Sequence, residues 1–327
     1  MSPSEVSSTG PSEPVLSIII VNYNTGDLLS ACLDSLFADD TSRWEVIVVD
    51  NGSTDDSLAV VETRFPQVIL IASPENLGFS GGNNLALRQA RGEFFLLLNT
   101  DTLVPPGSLG RMIDHMVANV WTGALGPRLV NTAGQLELSC GREPNLTSEI
   151  VHKLLLHKAF PFFRFGGWHH RDRRLVGWVT GACLMVRRQA AEQTGYLDQG
   201  FFMCYEDVDW CMRIAQAGWQ IIYFPYSEVV HYRGGTIGRN LGELLVISQQ
   251  SLFYLFQKHF GAVRLALLRC FTVIEMGLRS SVWMAAFIVS RHRRPEASQR
   301  LSAYRQIFVR TIRERSYWDP TRSPDST

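Results

Sequence analysis

The sequence lacks both a long hydrophobic run and a recognisable export signal. A helix needs about 20 apolar residues to cross a bilayer, whereas the best run, residues 280–290, has eleven residues between Arg279 and Arg291. The first fourteen residues are rich in Ser, Pro and Glu and have neither a basic start nor an apolar core. We therefore expect no spanning helix and no signal peptide, and we expect residues 1–14 to form a disordered arm.

Closely spaced cysteines and net charge are missing as well. None of the six cysteines belongs to a CxxC pair, which argues against zinc and favours reduced thiols in a cytoplasmic protein. The 31 basic and 31 acidic side chains cancel, which argues against a nucleic-acid-binding protein. With 327 residues, 46% of them hydrophobic, the chain can bury a large core.

The sequence does contain a regular alternation of short apolar strands with amphipathic helices. Strands are predicted at 16–21, 45–49, 68–72 and 94–98, and a helix at about 83–90 follows the third strand. Such alternation is typical of an α/β fold with a Rossmann-like, mostly parallel sheet and helices on both faces.

Polar clusters follow the predicted strands. They contain Asn22, Asp50, Asn76 and Asn99, and each comes directly after or close to a strand end. Parallel sheets bind ligands at the carboxyl ends of their strands, so we expect these clusters to share one crevice.

The second part of the chain has a looser pattern. A helix is predicted at 112–117, another begins near Glu206 and stops at Gly218, and a strand is predicted at 221–224. From Leu241 onward the pattern is helical, and the sequence has no internal repeat.

Seven motifs occur in one order along the chain, and together they resemble glycosyltransferase family 2, specifically its bacterial rhamnosyltransferase-like members. The resemblance covers about residues 15–240 and implies a GT-A fold, a nucleotide-sugar donor, a divalent metal and inversion at the anomeric carbon. The motifs are SIIIVNYN, VVDNGSTDDS, NLGFSGGNN, FLLLNTDT, GWVTGACLMVRR, GFFMCYEDVDWCMRIAQAGW and VVHYRGG.

The resemblance also suggests how the chain divides. The predicted regions are a disordered arm (1–14), a nucleotide-sugar-binding half (15–105), an acceptor-binding and catalytic half (106–240) and a basic helical C-terminal region (241–327).

The departure of a nucleoside diphosphate requires charge neutralisation, which a bound Mg²⁺ or Mn²⁺ supplies as a Lewis acid. Such metals prefer oxygen ligands. The resemblance makes Asp101, the last position of an Asp-x-Asp motif, a metal ligand, and His231 the residue that completes the metal shell. Asn99 stands at the first position of that motif and brings no charge, so it is expected to bind the ribose or to reach the metal through its carbonyl or a water. A turn at Asn99–Asp101 and a structural His231 remain the alternatives.

The acceptor hydroxyl needs a general base, and Glu206, Asp207 and Asp209 are the candidates. Asp209 has Arg213 four residues later, the spacing of an ordinary helical ion pair, so we interpret it as structural. The resemblance assigns the base to Asp207 and the binding of an acceptor hydroxyl to Glu206. A helix-capping role for Asp207 is the alternative.

Donor and acceptor contacts follow from the remaining motifs. In the segment NLGFSGGNN, the glycines before the helix predicted from about Asn83 allow close approach of a phosphate or sugar, and that helix offers free amides to an anion. Trp178 is either a platform for a sugar ring or part of the core, and Gly181 would keep the wall of the acceptor site thin. The predicted donor-binding residues are Asn22, Asp50, Asn51, Asn76, Gly81, Asn83, Asn84 and Asn99.

The C-terminal region is basic, with one Lys and eleven Arg against three Glu between residues 258 and 315. Trp283 and Phe287, with arginines around them, predict contact with an anionic membrane surface. Packing of a helical subdomain on the core, or a homodimer interface, are the open alternatives.

The sequence therefore predicts an inverting, metal-dependent glycosyltransferase, cytoplasmic and peripheral on the inner face of the plasma membrane. By the resemblance, it would move a sugar such as rhamnose from a dTDP or UDP donor to a cell-surface glycan or a polyprenyl-linked acceptor. A sugar-1-phosphate nucleotidyltransferase is disfavoured because VNYNTGD lacks the basic residues of a triphosphate-binding loop. A non-catalytic sugar-binding homologue is the other alternative. The absence of Gln-x-x-Arg-Trp predicts addition of one or a few sugars rather than a polymer.

Overall fold

A computed structural model describes residues 13–154, 168–232, 241–289 and 294–313. The predicted disordered arm therefore lies almost entirely outside the described residues. The strands are β1 (Leu16–Asn22), β2 (Trp44–Asn51), β3 (Ile69–Ser73), β4 (Phe94–Leu98), β5 (Thr102–Leu103), β6 (Thr122–Val130), β7 (Leu136–Glu137), β8 (Cys140–Gly141), β9 (Arg174–Leu175), β10 (Trp178–Val179), β11 (Cys183–Arg187) and β12 (Gln220–His231). The helices are α1 (Gly26–Phe37), α2 (Ser57–Arg64), α3 (Gly78–Leu87), α4 (Ser108–Ala118), α5 (Leu146–Lys153), α6 (Arg188–Thr194), α7 (Glu206–Gln216), α8 (Leu241–Val289) and α9 (Arg294–Arg313).

The main sheet has the strand order β3-β2-β1-β4-β11-β6-β12-β5. β1 pairs in parallel with β2 and with β4, β2 pairs in parallel with β3, and β6 pairs in parallel with β12. β11 runs antiparallel between β4 and β6 and joins the two parallel groups. This mostly parallel sheet with helices on both faces confirms the predicted fold class.

The core consists of two apolar layers, one on each face of the sheet. Successive side chains of a strand point to opposite faces, so Ile18 and Ile20 of β1 pack in one layer with helices α1 and α4, while Ile19 packs in the other with α3 and α7. All three isoleucines are completely buried, and each contributes about 1.5–3 kcal/mol to the free energy of folding. The continuous apolar runs of the sequence are therefore central strands covered on both sides.

The C-terminal helices form a unit that packs on α7, where Leu255 of α8 contacts Val208 and Met212. The long helix α8 changes direction at Gly261, whose φ is +81°, and α9 packs along it through Val246, Met276 and Tyr304. Across the described ranges, no helix contains a stretch long and apolar enough to cross a membrane.

One predicted boundary is wrong in a way that matters for the site. The residues before Asn83 were predicted to be a loop, yet helix α3 begins five residues earlier, at Gly78, and includes both later glycines of NLGFSGGNN. Gly78 has φ +71°, and a Cβ at this position would lie 2.4 Å from the Phe202 carbonyl oxygen. The glycine thus allows the helix start to pack against the loop that leads to α7.

Candidate active site

The loops after β1 and β2 are tied together by buried polar side chains. The Asn22 amide donates to Asp50 Oδ1 at 3.0 Å and to Ser53 Oγ at 3.1 Å, and it accepts from Thr25 Oγ1 at 2.8 Å. The Thr25 and Thr100 hydroxyl groups also hydrogen-bond to each other at 3.0 Å, which links these loops to the acidic loop after β4. The predicted clusters therefore share one edge of the sheet.

A second amide network joins β2 to the start of α3. Asn51 is 2% exposed and donates to Asn76 Oδ1 and to the Gly78 carbonyl, both at 3.0 Å. Asn83 donates to the Phe79 carbonyl at 2.8 Å, inside α3.

Asn84 has protein partners for both ends of its amide. Nδ2 donates to the Leu197 carbonyl at 2.7 Å, and Oδ1 accepts from the Leu197 N–H at 3.1 Å. These bonds anchor α3 to the segment after α6. Contact of Asn83, Asn84 or Gly81 with a donor stays a prediction, and the structure gives both asparagine side chains a role in holding α3.

Asp101 and His231 lie side by side at the sheet edge, as the resemblance implied. Their loops are joined by the Tyr232 N–H, which donates to the Asp101 carbonyl at 2.8 Å. His231 ends β12 opposite Thr102 of β5. Its Nε2 is 3.2 Å from Asp101 Oδ1, and the two side chains are only 10% and 11% exposed. Burial lowers the pKa of His231, but Asp101 and Glu137 outweigh it and raise that pKa.

Glu137 is a site residue that the sequence did not reveal. Its Oε2 is 2.9 Å from His231 Nδ1, and its side chain is 10% exposed. Glu137 belongs to the two-residue strand β7, which pairs with β6 next to β12. Its proximity to His231 depends on these pairings, so no local signal in QLELSC distinguishes it from a surface carboxylate.

The Asp101–His231 pair fits a hard divalent cation. An oxygen and an imidazole nitrogen 3.2 Å apart have the spacing of two ligands on one ion, and Glu137 can hold the proton on Nδ1 so that Nε2 has a free lone pair. Within the part of the chain that the structure describes, no three His, Cys, Asp or Glu side chains form a metal cage. Substrate phosphates and water would therefore have to supply the remaining ligands, as is usual for Mg²⁺.

Asp207 lies in the first turn of α7, where backbone N–H groups hold its carboxylate. Gly181 N–H donates to Oδ2 and Val208 N–H donates to Oδ1, each at 2.7 Å. Burial raises the pKa of Asp207, while these bonds and the Thr180 hydroxyl partly oppose the rise. A carboxylate with a raised pKa is better matched to proton abstraction near neutral pH.

Glu206, next to Asp207, is 5% exposed, and its Oε2 has no hydrogen-bond partner among the residues that the structure describes. Burial, and then the charge of Asp207, raise the pKa of Glu206 well above its ordinary value. The acidic pair therefore tends to retain a proton.

The backbone before α7 is strained. Cys204 and Tyr205 have φ values of +69° and +66°, a left-handed conformation that non-glycine residues rarely adopt. Such strain concentrates at functional sites. No sequence motif predicted the left-handed conformation of these two residues.

One turn connects the acidic pair to the predicted metal site. The Asn99 N–H donates to the Ala182 carbonyl at 3.0 Å, and the N–H of neighbouring Gly181 binds Asp207. A Cβ on Gly181 would lie 3.2 Å from the Phe79 ring and 3.6 Å from the Asp207 Cβ, and a role of Gly181 in the acceptor site stays a prediction. The Asn99–Asp101 loop and Asp207 thus adjoin the same turn.

Trp178 is half-buried on β10 and packs against both the central core and the cluster around Phe201. These contacts support the alternative that Trp178 is part of the core. Its role as a platform for a sugar ring stays a prediction.

The fold and the site define a class: α/β proteins with polar loops gathered at the carboxyl ends of parallel strands. Among solved structures, the chain is similar to the mannosyltransferase PcManGT from Pyrobaculum calidifontis, determined in complex with GDP-Man and Mn²⁺. The TM-score is 0.55 at 18% identity, over 94% of this chain and 89% of that one. This GT-A neighbour supports the fold assignment.

The chain belongs to glycosyltransferase family 2, whose sequence profile matches residues 17–195. It is 32% identical, over 86% of its length and 96% of the relative's, to the N-acetylglucosaminyl-diphospho-decaprenol L-rhamnosyltransferase of Mycobacterium tuberculosis. It is 28% identical, over 66% of its length and 82% of the relative's, to the rhamnosyltransferase WbbL of Escherichia coli. The protein is therefore a glycosyltransferase with rhamnosyltransferase relatives, and this confirms the resemblance.

Proposed function

We propose that the protein transfers a sugar, with rhamnose the first candidate, from a dTDP or UDP donor to a hydroxyl of a polyprenyl-diphosphate-linked glycan. The names of the relatives supply the sugar and the acceptor class. The single observation that carries the proposal is the Thr180–Ala182 turn, which contacts both Asp207 and the Asn99–Asp101 loop. A general base and a cation site can serve one reaction only if they face the same cleft.

Asp101 and His231 would hold Mg²⁺ or Mn²⁺, which when bound neutralises the negative charge of the leaving diphosphate. Glu137 would orient His231 through Nδ1. Asn99 would contact the ribose or a metal-bound water. Asn22, Asp50 and Asn51 would shape the nucleotide pocket through the two buried amide networks.

Asp207 would accept the proton of the acceptor hydroxyl. The N–H groups of Gly181 and Val208 fix both oxygens of the carboxylate, which limits its rotation before the acceptor arrives. Glu206 would hold a second acceptor hydroxyl by donating from a protonated carboxyl, the state that its burial favours. A single base positioned to activate the acceptor hydroxyl is what a direct displacement with inversion requires, and the fixed carboxylate of Asp207 supports this mechanism.

Rhamnose transfer with and without Asp207 tests this function. The assay measures dTDP release from dTDP-rhamnose with Mn²⁺ and an N-acetylglucosaminyl-diphosphoryl polyprenol acceptor, and NMR gives the anomeric configuration of the product. Asp207→Asn is expected to lower kcat by about 10²–10⁴-fold, the usual contribution of a general base. Asp114→Asn, an exposed carboxylate of α4, is the control and should retain full activity.

Equal kcat in the wild-type protein and Asp207→Asn would remove the base assignment, and retention of configuration would remove inversion. If dTDP-rhamnose is not a substrate, thermal shifts with other dTDP and UDP sugars identify the donor, because a ligand of the folded state raises its stability.

We also propose that the C-terminal unit rests on the membrane that holds such an acceptor. Trp283 does not face outward as the sequence suggested, since it packs toward α9 with the Arg300 guanidinium 4.6 Å from its ring. Other side chains supply the apolar surface. Five of them, spaced to form one stripe along the second half of α8, are 44–76% exposed: Val263, Leu267, Ile274, Leu278 and Val282.

A further inference from the structure

We propose that a cleft between α8 and α9 is a binding site for a phosphate or diphosphate group. The cleft has a volume of about 270 Å³ including its open mouth, and Gln249, Phe253 and Arg269 of α8 and Arg310 of α9 are among its lining residues. None of these residues belongs to the proposed active site, so the inference goes beyond the proposed function and does not rest on it.

The charges in the cleft are unbalanced. Arg269 and Arg310 line it together, and no carboxylate is present among its described lining residues. Neighbouring arginines of the same helices are paired, since Arg279 binds Glu275 at 2.8 Å and Arg300 binds Glu296 at 2.9 Å. Two guanidinium groups carry the same positive charge and repel each other. An anion between them would remove this repulsion, and phosphate oxygens match the planar fork of a guanidinium.

Two buried donors in the cleft also lack a partner. Arg269 Nε and Gln249 Nε2 have no hydrogen-bond acceptor among the described residues. The orientation of the Gln249 amide is fixed, because its Oε1 accepts from Lys153 Nζ at 3.1 Å and an ammonium group can only donate. Lys153 is held in turn by Glu275 at 2.8 Å. The NH₂ group of Gln249 therefore turns away from Lys153.

Unpaired buried donors identify the chemistry of the missing ligand. A buried donor without a partner costs about 1–3 kcal/mol, and the ligand that relieves this cost must offer acceptor atoms. A phosphate has only acceptor oxygens and carries the charge that the two arginines lack. A cation or an amine would add to the imbalance.

The surroundings of the cleft are apolar. Arg269 lies over the Phe253 ring, 5.4 Å from its centroid, and next to Arg310 and Thr311 the side chains of Phe308 and Ile312 are 40% and 59% exposed. A phosphate attached to a hydrocarbon chain fits such a rim, and inorganic phosphate shares the same anionic chemistry.

The test compares Arg269→Gln and Arg310→Gln with Arg305→Gln, an exposed arginine of α9 that does not line the cleft. Isothermal titration calorimetry with inorganic phosphate in EDTA measures the free anion without metal-dependent donor binding. Flotation with phosphatidylcholine vesicles, with and without polyprenyl phosphate, measures the lipid-borne anion. Wild type and Arg305→Gln should bind, and each cleft variant should bind about tenfold or more weakly, the loss expected for one charge-assisted hydrogen bond.

Binding of inorganic phosphate assigns the cleft to the free ion, and binding only to polyprenyl phosphate vesicles assigns it to a lipid headgroup; both support the proposal. It is overturned if wild type binds neither probe, or if both cleft variants bind as Arg305→Gln does. Gln249→Glu places a negative charge in the cleft without removing a packed arginine. This variant should also abolish binding, so the test remains decisive if a cleft variant unfolds.

Discussion

At the scale of single residues, Glu137 gives the sharpest test of the proposed metal site. Glu137→Gln keeps the size of the side chain but weakens its hold on His231 Nδ1. Loss of such an outer partner typically costs about 10–100-fold in metal affinity, and we expect a loss of this size in Mn²⁺ affinity, measured by electron paramagnetic resonance with dTDP present.

Glu143→Gln, an exposed carboxylate close in sequence, is the control for Glu137→Gln and should bind Mn²⁺ as the wild type does. Asp101→Asn serves as the reference for a lost ligand. If neither Asp101→Asn nor Glu137→Gln changes the Mn²⁺ affinity, the metal does not bind at the proposed site. If Asp101→Asn lowers the affinity and Glu137→Gln does not, Glu137 does not orient His231.

A second prediction at this scale concerns the pH dependence of stability. The folded protein raises the pKa of Glu206 above 4.5, its ordinary value, mainly by burial. The folded state therefore prefers the protonated carboxyl, so this contribution is complete below pH 4.5 and is lost as the pH rises through the raised pKa.

Glu206→Gln cannot lose a proton, so its free energy of unfolding should exceed that of the wild type increasingly as the pH rises from 4.5 toward 8. Urea unfolding across this range measures the difference, and Glu62→Gln, exposed on α2, should show no such trend. A constant difference between wild type and Glu206→Gln would contradict the raised pKa.

Some of these residues could be assigned to the site from the sequence, and others could not. Asp101 and His231 lie far apart in the chain, but each belongs to a motif of the family, so their meeting was predictable. Glu137 belongs to no such motif, and its contact with His231 arises from the pairing of β7 with β6 and of β6 with β12. Long-range pairing of short strands leaves almost no local pattern, and the same holds for the left-handed Cys204 and Tyr205.

At the scale of elements, Asp209 joins α7 to α8. The sequence predicted its ion pair with Arg213, which the structure has at 2.8 Å. His259 at 2.7 Å and Lys258 at 2.8 Å, both from α8, bind the same carboxylate, which is completely buried. These contacts lower the pKa of Asp209 to about 2 despite its burial.

Asp209→Asn should destabilise the protein by about 3 kcal/mol at neutral pH, because it leaves several cations without their buried partner. In the wild type this contribution is present above the ordinary pKa of an aspartate, 3.8, and is lost as the pH falls toward 2. Chemical denaturation measures the change. Asp34→Asn breaks an exposed pair with Arg64 and should cost no more than about 1 kcal/mol; an equal cost for both variants would contradict the tie between α7 and α8.

Element boundaries were least predictable where tertiary contacts override local propensity. Glycines usually interrupt helices, so the start of α3 was placed at Asn83. In the fold, Gly78 packs against the Phe202 carbonyl, and the Phe79 N–H donates to that same oxygen at 2.7 Å. The helix therefore begins where the loop before α7 supplies an acceptor to the Phe79 N–H, and this acceptor is 123 residues away in the chain, outside any local sequence window.

At the scale of the whole molecule, we expect the exposed stripe of α8 to be the face that meets lipid in the proposed membrane contact. Leu267 and Leu278 are each 44% exposed within it, and burying one leucine side chain contributes about 1.5–3 kcal/mol. The double variant Leu267→Ser and Leu278→Ser should therefore lower the partition into vesicles of phosphatidylcholine and phosphatidylglycerol by about tenfold or more. Val117→Ser, which removes an apolar side chain that is 59% exposed on α4, is the control and should partition as the wild type does. The double variant should lose vesicle binding but keep its kcat, measured as dTDP release with a short-chain acceptor in detergent. Such a result would show that the stripe acts in membrane binding and not in catalysis. Wild-type partition of the double variant would show that this face does not meet the lipid.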